Sequence, residues 1–226
     1  MPVPGRNPDD YLDWRVAAAD RLRRLGQALV AHRPSPEVLD RLVVAIDSLL
    51  PEVTAAPERS EPFDFVSDPE LAGTAGSGGE GSDSGIILFP DSVVSGPANP
   101  MGMGAVYRLE GNQVVARVVL GPAFEGAPGR AHGGVVAAII DETMGAVLPQ
   151  VGTPAYTGTL TIRYLAPVPI GEELVFRAWL HHRDRRKLTI HASGQHRDTR
   201  FAEAEGVFIT VPEYKKPPAP GSADGP

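Results

Sequence analysis

Two carboxylates lie within the most apolar stretch of this sequence. Residues 133–145 read Gly-Gly-Val-Val-Ala-Ala-Ile-Ile-Asp-Glu-Thr-Met-Gly, and only Asp141 and Glu142 among them carry a charge. A helix that is apolar on all sides belongs in a core, where an acid must be paired, neutralised or used. The stretch therefore indicates a buried helix whose acid is a candidate for chemistry.

The start of this helix offers hydrogen-bond donors beside that acid. Gly133 and Gly134 follow His132 at the predicted first turn, where backbone N–H groups have no intrahelical partner and the helix dipole is positive. Such groups can polarise a carbonyl oxygen, and glycine lets a substrate come close to the backbone because it has no Cβ. From the residues alone, the acid could equally be a structural group that caps the helix or pairs at a subunit interface.

Asp141 and Glu142 are alternatives for the role of the acid. Residues three, four and seven positions apart share a helix face. Glu142 could lie on the same side as Asp141 within one rotation, and its neighbours are larger. The residues that share the face of Asp141 are mostly Gly or Ala and leave room for a substrate or a partner strand: Gly134, Ala137, Ala138, Met144 and Gly145.

Short strands surround the helix in the sequence. Val106–Leu109 and Val114–Leu120 flank a Glu-Gly-Asn turn and predict a hairpin. Residues 156–164 alternate strictly, which places Thr157 on the face opposite Leu160. Further strands are predicted near residues 174–180, 187–195 and 201–211. The fold class that follows is α+β, a curved antiparallel sheet wrapped around one central helix.

Two amphipathic helices precede this domain. The first begins at Asn7-Pro8 and ends near His32, and the second begins at Ser35-Pro36 and ends at Pro51. We expect them to dock on the main domain or on a partner subunit. The predicted organisation is a helical hairpin (1–54), a flexible linker rich in Gly, Ser, Pro and Glu (55–85), the main domain (86–212) and a disordered tail (213–226).

Composition excludes several classes of function. The net charge of −7 gives no electrostatic case for a nucleic-acid partner, although a local basic patch is possible. The absence of cysteine excludes disulfides, thiolate metal sites and a cysteine nucleophile. We expect no membrane span, no signal peptide and a cytoplasmic location. Neither a metal nor a cofactor is expected, because no acid or thiol completes a ligand set with the histidines at 181, 182, 191 and 196.

His132-Gly133-Gly134, the acid at Asp141 and the threonine-rich strand that runs into Tyr164-Leu-Ala-Pro-Val-Pro169 together resemble the hotdog-fold acyl-CoA thioesterases. The similarity is greatest to the phenylacetate-type (PaaI-like) branch, which includes the mammalian thioesterase superfamily members. It covers about Val94 to Val211. The resemblance implies a hotdog fold and hydrolysis of an acyl-CoA thioester, in fatty acid metabolism, to a free carboxylic acid and coenzyme A.

The resemblance also implies roles for single residues. Asp141 would activate water or attack the thioester, and Thr157 would orient the water. Gly133 and Gly134 would polarise the carbonyl, while His132 would shape the loop through hydrogen bonds. Related proteins place an amide donor before His-Gly-Gly; this chain has none there, and Asn99 could substitute for it.

The densest basic cluster of the chain is Arg183-Asp-Arg-Arg-Lys187. Coenzyme A carries phosphates, and related proteins often place basic residues at the corresponding turn, so Arg185, Arg186 and Lys187 are candidate ligands. A solvated hairpin tip is the equally open alternative.

The resemblance further implies a homodimer or homotetramer whose site is shared between subunits. A non-catalytic acyl-CoA or lipid-binding hotdog protein is the alternative function, because the amide donor before His132 is missing. A hotdog dehydratase is a weaker third candidate, since His132 does not sit in a matching arrangement.

Overall fold

The computed structural model of the chain describes residues 11–58, 89–152 and 154–211. The predicted linker beyond residue 58, the predicted tail from residue 213 and the Asn7-Pro8 helix start lie outside the described residues.

Three groups of elements follow one another along the chain. The first is α1 (Tyr11–Ala31) and α2 (Pro36–Thr54), followed by the hairpin β1 (Val106–Glu110) and β2 (Gln113–Val119). The second is a 3₁₀ turn (Pro122–Phe124), two short strands β3 (Glu125–Ala127) and β4 (Arg130–Ala131), and the helices α3 (Gly133–Gly145) and α4 (Leu148–Val151). The third is β5 (Ala155–Tyr164), β6 (Glu173–Asp184), β7 (Lys187–His196) and β8 (Thr199–Thr210).

Six strands form one antiparallel sheet in the order β1-β2-β6-β7-β8-β5. The predicted β1–β2 turn is confirmed, with Gly111 at φ +63°, a left-handed conformation that favours glycine. Helix α3 packs across one face of the sheet, against β2, β5, β6, β7 and β8. This arrangement confirms the predicted α+β fold with one central helix.

Helix α3 is buried through its large side chains. Val136, Ile139, Ile140 and Met144 have no exposed surface. Opposite them, small residues of the sheet allow close approach; a Cβ at Gly206 would lie 2.7 Å from the Met144 sulfur. The absence of a side chain at Gly206 on β8 therefore has a packing reason.

The segment Gly133–Val151 is long and apolar enough, with a mean hydropathy of 1.3, to pass a test for a membrane-spanning helix. Core helices of folded domains pass the same test, and α3 packs its large side chains against the sheet. One such helix is weak evidence for a span.

A β-bulge corrects the predicted faces of β5. Thr157 pairs with Phe208 and Thr159 with Val207, so the register shifts at Gly158. An extra residue reverses the alternation on one side of the bulge. Thr157 therefore shares the helix-facing side with Leu160, and the prediction that the two point to opposite faces is wrong.

The N-terminal helices differ in how they pack. Helix α1 docks on the domain and buries Ala17 and Ala19. Helix α2 has no buried residue, and within it only Leu42 is half-buried. It also continues past Pro51, where we predicted its end, because a proline in the last turn removes only one backbone hydrogen bond and Ala55 still bonds to the Pro51 carbonyl.

Candidate active site

The start of α3 is capped by the histidine that precedes it. His132 has an extended backbone (φ −65°, ψ 135°), and its Nδ1 accepts the Gly134 N–H at 2.9 Å. The prediction that both glycines present free donors is therefore wrong for Gly134. Gly134 bonds to its own cap, whereas the Gly133 N–H has no acceptor among the described residues.

Two further contacts hold this helix start in place. The Tyr164 hydroxyl donates to the Gly133 carbonyl oxygen at 2.8 Å. On the other side, Gly126 packs against His132 so closely that a Cβ there would lie 2.8 Å from the His132 Cα. Tyr164 was not among the predicted site residues, although its position at the end of the β5 row that includes Leu160 was a signal that it could reach α3.

Asp141 is joined to β5 by a hydrogen bond. The Thr157 hydroxyl donates to Asp141 Oδ1 at 2.8 Å. Asp141 is half-buried and Thr157 is exposed, so water can reach the pair. The bulge at Gly158 makes the contact possible because it turns Thr157 toward the helix. Asp141 and the residue predicted to orient the water, Thr157, are thus brought together within one chain.

Glu142 has different partners from Asp141. Its carboxylate accepts hydrogen bonds from the hydroxyls of Ser92 and Ser95, in the segment that covers the other side of α3. Each of the two adjacent acids therefore has its own environment. The sequence carried no periodic signal for the two serines, because they lie in turns 47 and 50 residues before Glu142.

Tyr107 lies fully buried near Glu142 and Thr143. Burial raises the pKa of its hydroxyl well above the usual range, and the charge of Glu142 raises this pKa further. The ionised form of Tyr107 is therefore strongly disfavoured in the folded chain.

Replacing Tyr107 by Phe is expected to reduce the loss of stability at high pH. The unfolded chain releases the tyrosine proton above pH 10, whereas the folded chain keeps it, so the stability linked to this group is complete below pH 10 and is lost above it. We expect the free energy of unfolding of wild type, relative to Tyr107→Phe, to fall by about 1.4 kcal/mol per pH unit above about pH 10. Urea unfolding at several pH values measures this difference, and parallel curves for the two proteins would contradict it.

Replacing Thr157 by Val is expected to lower the rate of the hydrolysis predicted from the sequence, without loss of fold. The substitution removes the hydroxyl that orients Asp141, and losing one hydrogen bond to a charged group costs about 1.5 kcal/mol, or roughly tenfold in rate. Thr157 is exposed, so we expect stability to change by less than about 0.5 kcal/mol. Thr157→Ser keeps the hydroxyl and is the matched control; equal kcat values for the Val and Ser variants would exclude this role.

The side chain of Asn99 forms hydrogen bonds within its own loop. Its Nδ2 donates to the Asp91 carbonyl oxygen at 2.9 Å, and its Oδ1 accepts the Met101 N–H at 2.8 Å. These bonds shape the turn in which Asn99 lies. Its suggested role as donor to a substrate carbonyl stays a prediction.

The basic cluster forms the β6–β7 turn. Arg186 donates through Nε and one terminal nitrogen to the Thr210 carbonyl oxygen, at 3.2 and 3.1 Å. Arg185 and Lys187 are exposed, and Arg185 has a φ of +50° at the tip of the turn. Arg186 therefore anchors the turn to the end of β8, whereas Arg185 and Lys187 are exposed at the turn itself.

Two of the four strand histidines stack on the outer face of the sheet. The rings of His181 and His191 lie 3.9 Å apart, and His191 Nε2 is 3.2 Å from a Glu205 carboxylate oxygen. Within residues 11–58, 89–152 and 154–211, no three His, Asp or Glu side chains are grouped to hold a metal ion.

Comparisons with known proteins show which family these site residues resemble. Residues 128–202 match the family model described as Thioesterase superfamily. Acyl-coenzyme A thioesterase THEM4 of Mus musculus is 34% identical over 120 residues, which cover 50% of this chain and 52% of that protein. Acyl-coenzyme A thioesterase THEM5 of Mus musculus is 36% identical over 93 residues, 40% of this chain and 38% of that protein.

A crystal structure of the thioesterase superfamily protein RHA08564 superposes with a TM-score of 0.71 at 24% identity, covering 92% of this chain and 93% of that one. At this identity the likeness concerns the fold alone. The chain spans about half the length, or less, of the curated relatives that it matches. The family match includes His132, both glycines, Asp141 and Thr157. The chain therefore has the hotdog fold, and its residues 128–202 are similar to the thioesterase superfamily.

Proposed function

We propose that this protein is an acyl-CoA thioesterase, which hydrolyses the thioester to a carboxylic acid and coenzyme A. The observation that carries the proposal is the Thr157–Asp141 hydrogen bond at 2.8 Å, which presents an oriented, water-accessible carboxylate within the family segment. The names of the similar proteins, THEM4 and THEM5, support the substrate class.

The chemistry requires a base and an oxyanion site. Asp141 takes a proton from water, and the water oxygen bonds to the thioester carbon while the carbonyl electrons move onto oxygen. The Gly133 N–H stabilises that oxygen at the positive end of α3. Collapse of the intermediate breaks the C–S bond, and the thiolate of coenzyme A leaves and takes up a proton. Direct attack by Asp141 gives the same products through a mixed anhydride, which water then hydrolyses.

A single chain cannot hold both groups against one thioester. Gly133 and Asp141 are eight residues apart on α3, which is about 12 Å along the helix axis. A reacting carbonyl must lie about 3 Å from both the donor and the nucleophile. We infer that Asp141 of one subunit works with Gly133 of another, so that the enzyme is at least a homodimer.

The shape of the chain fits a two-fold arrangement of this kind. Strand β5 pairs only with β8, and its outer edge has no strand partner within the part of the chain that the structure describes. Two α3 helices that cross antiparallel near Ala137 bring Gly133 of each level with Asp141 of the other. Ala137 and Ala138 are half-exposed and small, which permits that approach.

The basic turn lies at the Thr157 end of the sheet. Lys187 and Tyr156 both pair with Ile209, so they are two strand spacings apart, or about 10 Å. A coenzyme A bound beside Thr157 and extending toward this turn would bring its phosphates to Arg185 and Lys187. This placement favours a ligand role over that of a solvated tip.

The test is release of free thiol from a panel of acyl-CoA esters of different chain lengths and aryl or alkyl character. Hydrolysis of at least one ester by the wild type supports the proposal. Tight binding of an acyl-CoA in calorimetry without hydrolysis of any ester would favour the alternative, a non-catalytic acyl-CoA or lipid-binding protein.

A further inference from the structure

We propose that Gln27 of α1 is a positioning residue for the candidate active site. Helix α1 lies outside the family segment 128–202, and nothing in that segment assigns it a role. The inference rests on the proposed function, since it concerns the donor end of the same site.

Gln27 contacts the turn that precedes the helix start. Its Oε1 accepts the Ala123 N–H at 2.9 Å. The side chain also lies against Gly121, where a Cβ would overlap the Gln27 amide group. Gln27 is half-buried in this contact, which joins α1 to a loop 96 residues later.

Hydrogen bonds continue from that turn to α3. The carbonyl of Phe124, the residue after Ala123, accepts the His132 N–H at 2.9 Å. The His132 ring in turn accepts the Gly134 N–H. The position of the turn therefore determines the position of the cap, and the cap sets the direction of the adjacent Gly133 N–H.

Helix α1 also contacts the segment whose serines bind Glu142. Arg23 donates to the carbonyl oxygens of Pro97 and Asn99, at 2.9 and 2.7 Å, and Arg15 forms an ion pair with Asp91. These contacts anchor the segment at residues 91–99, whose serines bind the carboxylate of Glu142.

Helix α1 is therefore attached to both ends of α3. One attachment reaches the donor end through Gln27 and His132, and the other reaches Glu142, the neighbour of Asp141. The contact at Gln27 is the simpler one to test, because the Ala123 N–H needs only an oxygen acceptor. Glutamate provides that oxygen at the same chain length, and methionine fills similar space without it.

The experiment compares Gln27→Met with Gln27→Glu in the full chain. We expect Gln27→Met to lower kcat about tenfold with KM within about twofold, because misplacement of an oxyanion donor weakens transition-state binding more than ground-state binding. Gln27→Glu is expected to restore kcat to within about twofold of wild type. Arg24→Met is the matched control, since the Arg24 side chain lies on the same helix and is 80% exposed.

Hydrogen–deuterium exchange gives a second readout that does not depend on turnover. Amides of residues 121–134 are expected to exchange faster in Gln27→Met than in Gln27→Glu, and Gly121→Ala, which displaces the Gln27 side chain from the other side, should resemble Gln27→Met. Equal kcat and equal exchange in the Met and Glu variants would overturn the proposal. If the wild type shows no thioesterase activity, the proposed function is refuted. The comparison of hydrogen–deuterium exchange between the Gln27 variants still tests the contact between Gln27 and the 121–124 turn.

Discussion

The variant Asp141→Asn is expected to fold as the wild type does and to lose at least about a hundredfold in kcat, the usual contribution of a general base. Asparagine keeps an oxygen that can accept the Thr157 hydroxyl, so the contact at 2.8 Å can persist. What the variant lacks is the negative charge that accepts a proton or attacks carbon. The measurement is thiol release at saturating acyl-CoA, with the melting temperature as the check on folding.

Glu142→Gln is the matched control for this result. Glu142 is adjacent in sequence and half-buried like Asp141, but its carboxylate is occupied by Ser92 and Ser95. We expect the Gln variant to keep activity within about tenfold of wild type, since the amide retains one acceptor oxygen for a serine. Undiminished turnover in Asp141→Asn together with a large loss in Glu142→Gln would exchange the roles of the two acids.

The local elements of this fold could be predicted from the sequence because they follow from short-range physics. The apolar run after Gly133 predicts the buried helix, and the Glu-Gly-Asn turn predicts the β1–β2 hairpin, whose glycine takes a left-handed φ of +63°. The loop-shaping role of His132 came from the family resemblance instead, and the structure gives its physical form: the His132 ring caps the Gly134 N–H at the helix start.

Contacts that depend on an exact register could not be predicted in this way. Strict alternation places Thr157 away from the helix, whereas one bulged residue at Gly158 turns it toward Asp141. The choice between the donors of Gly133 and Gly134 is set by the rotamer of the His132 ring. No pattern along the chain encodes either feature.

Contacts between segments that lie far apart along the chain also could not be predicted from the sequence. Gln27 meets Ala123 across 96 residues, and Ser92 meets Glu142 across 50. Each of these side chains is ordinary for its own helix or turn, so its type and spacing indicate nothing about a partner. The packing of α1 on the domain brings such residues to the site.

The variant Gly133→Pro is expected to lower kcat by about 10² to 10³, because it removes the backbone N–H that would stabilise the oxyanion. Proline is well tolerated at the first position of a helix, and the extended backbone of His132 (φ −65°, ψ 135°) is the conformation that a following proline requires. Gly133→Ala is the control that keeps the N–H, and the nearest atoms to its Cβ would be those of the Tyr164 ring and hydroxyl, at 3.6 Å, an ordinary van der Waals distance. Both variants should retain the wild-type melting temperature within a few degrees, and only the proline variant should lose its activity.

Co-expression of Gly133→Pro with Asp141→Asn then tests whether two chains build each site. If Gly133 of one subunit serves Asp141 of the other, a mixed dimer places both defects in one site and leaves the second site intact. Random assortment makes half of the dimers mixed, so about a quarter of wild-type activity should return, although each variant alone is inactive. A site built within one chain would leave every site of the mixed dimer with a defect. Activity that stays at the level of the single variants would therefore contradict the shared site, while its recovery would explain how two groups about 12 Å apart on one helix act on the same thioester.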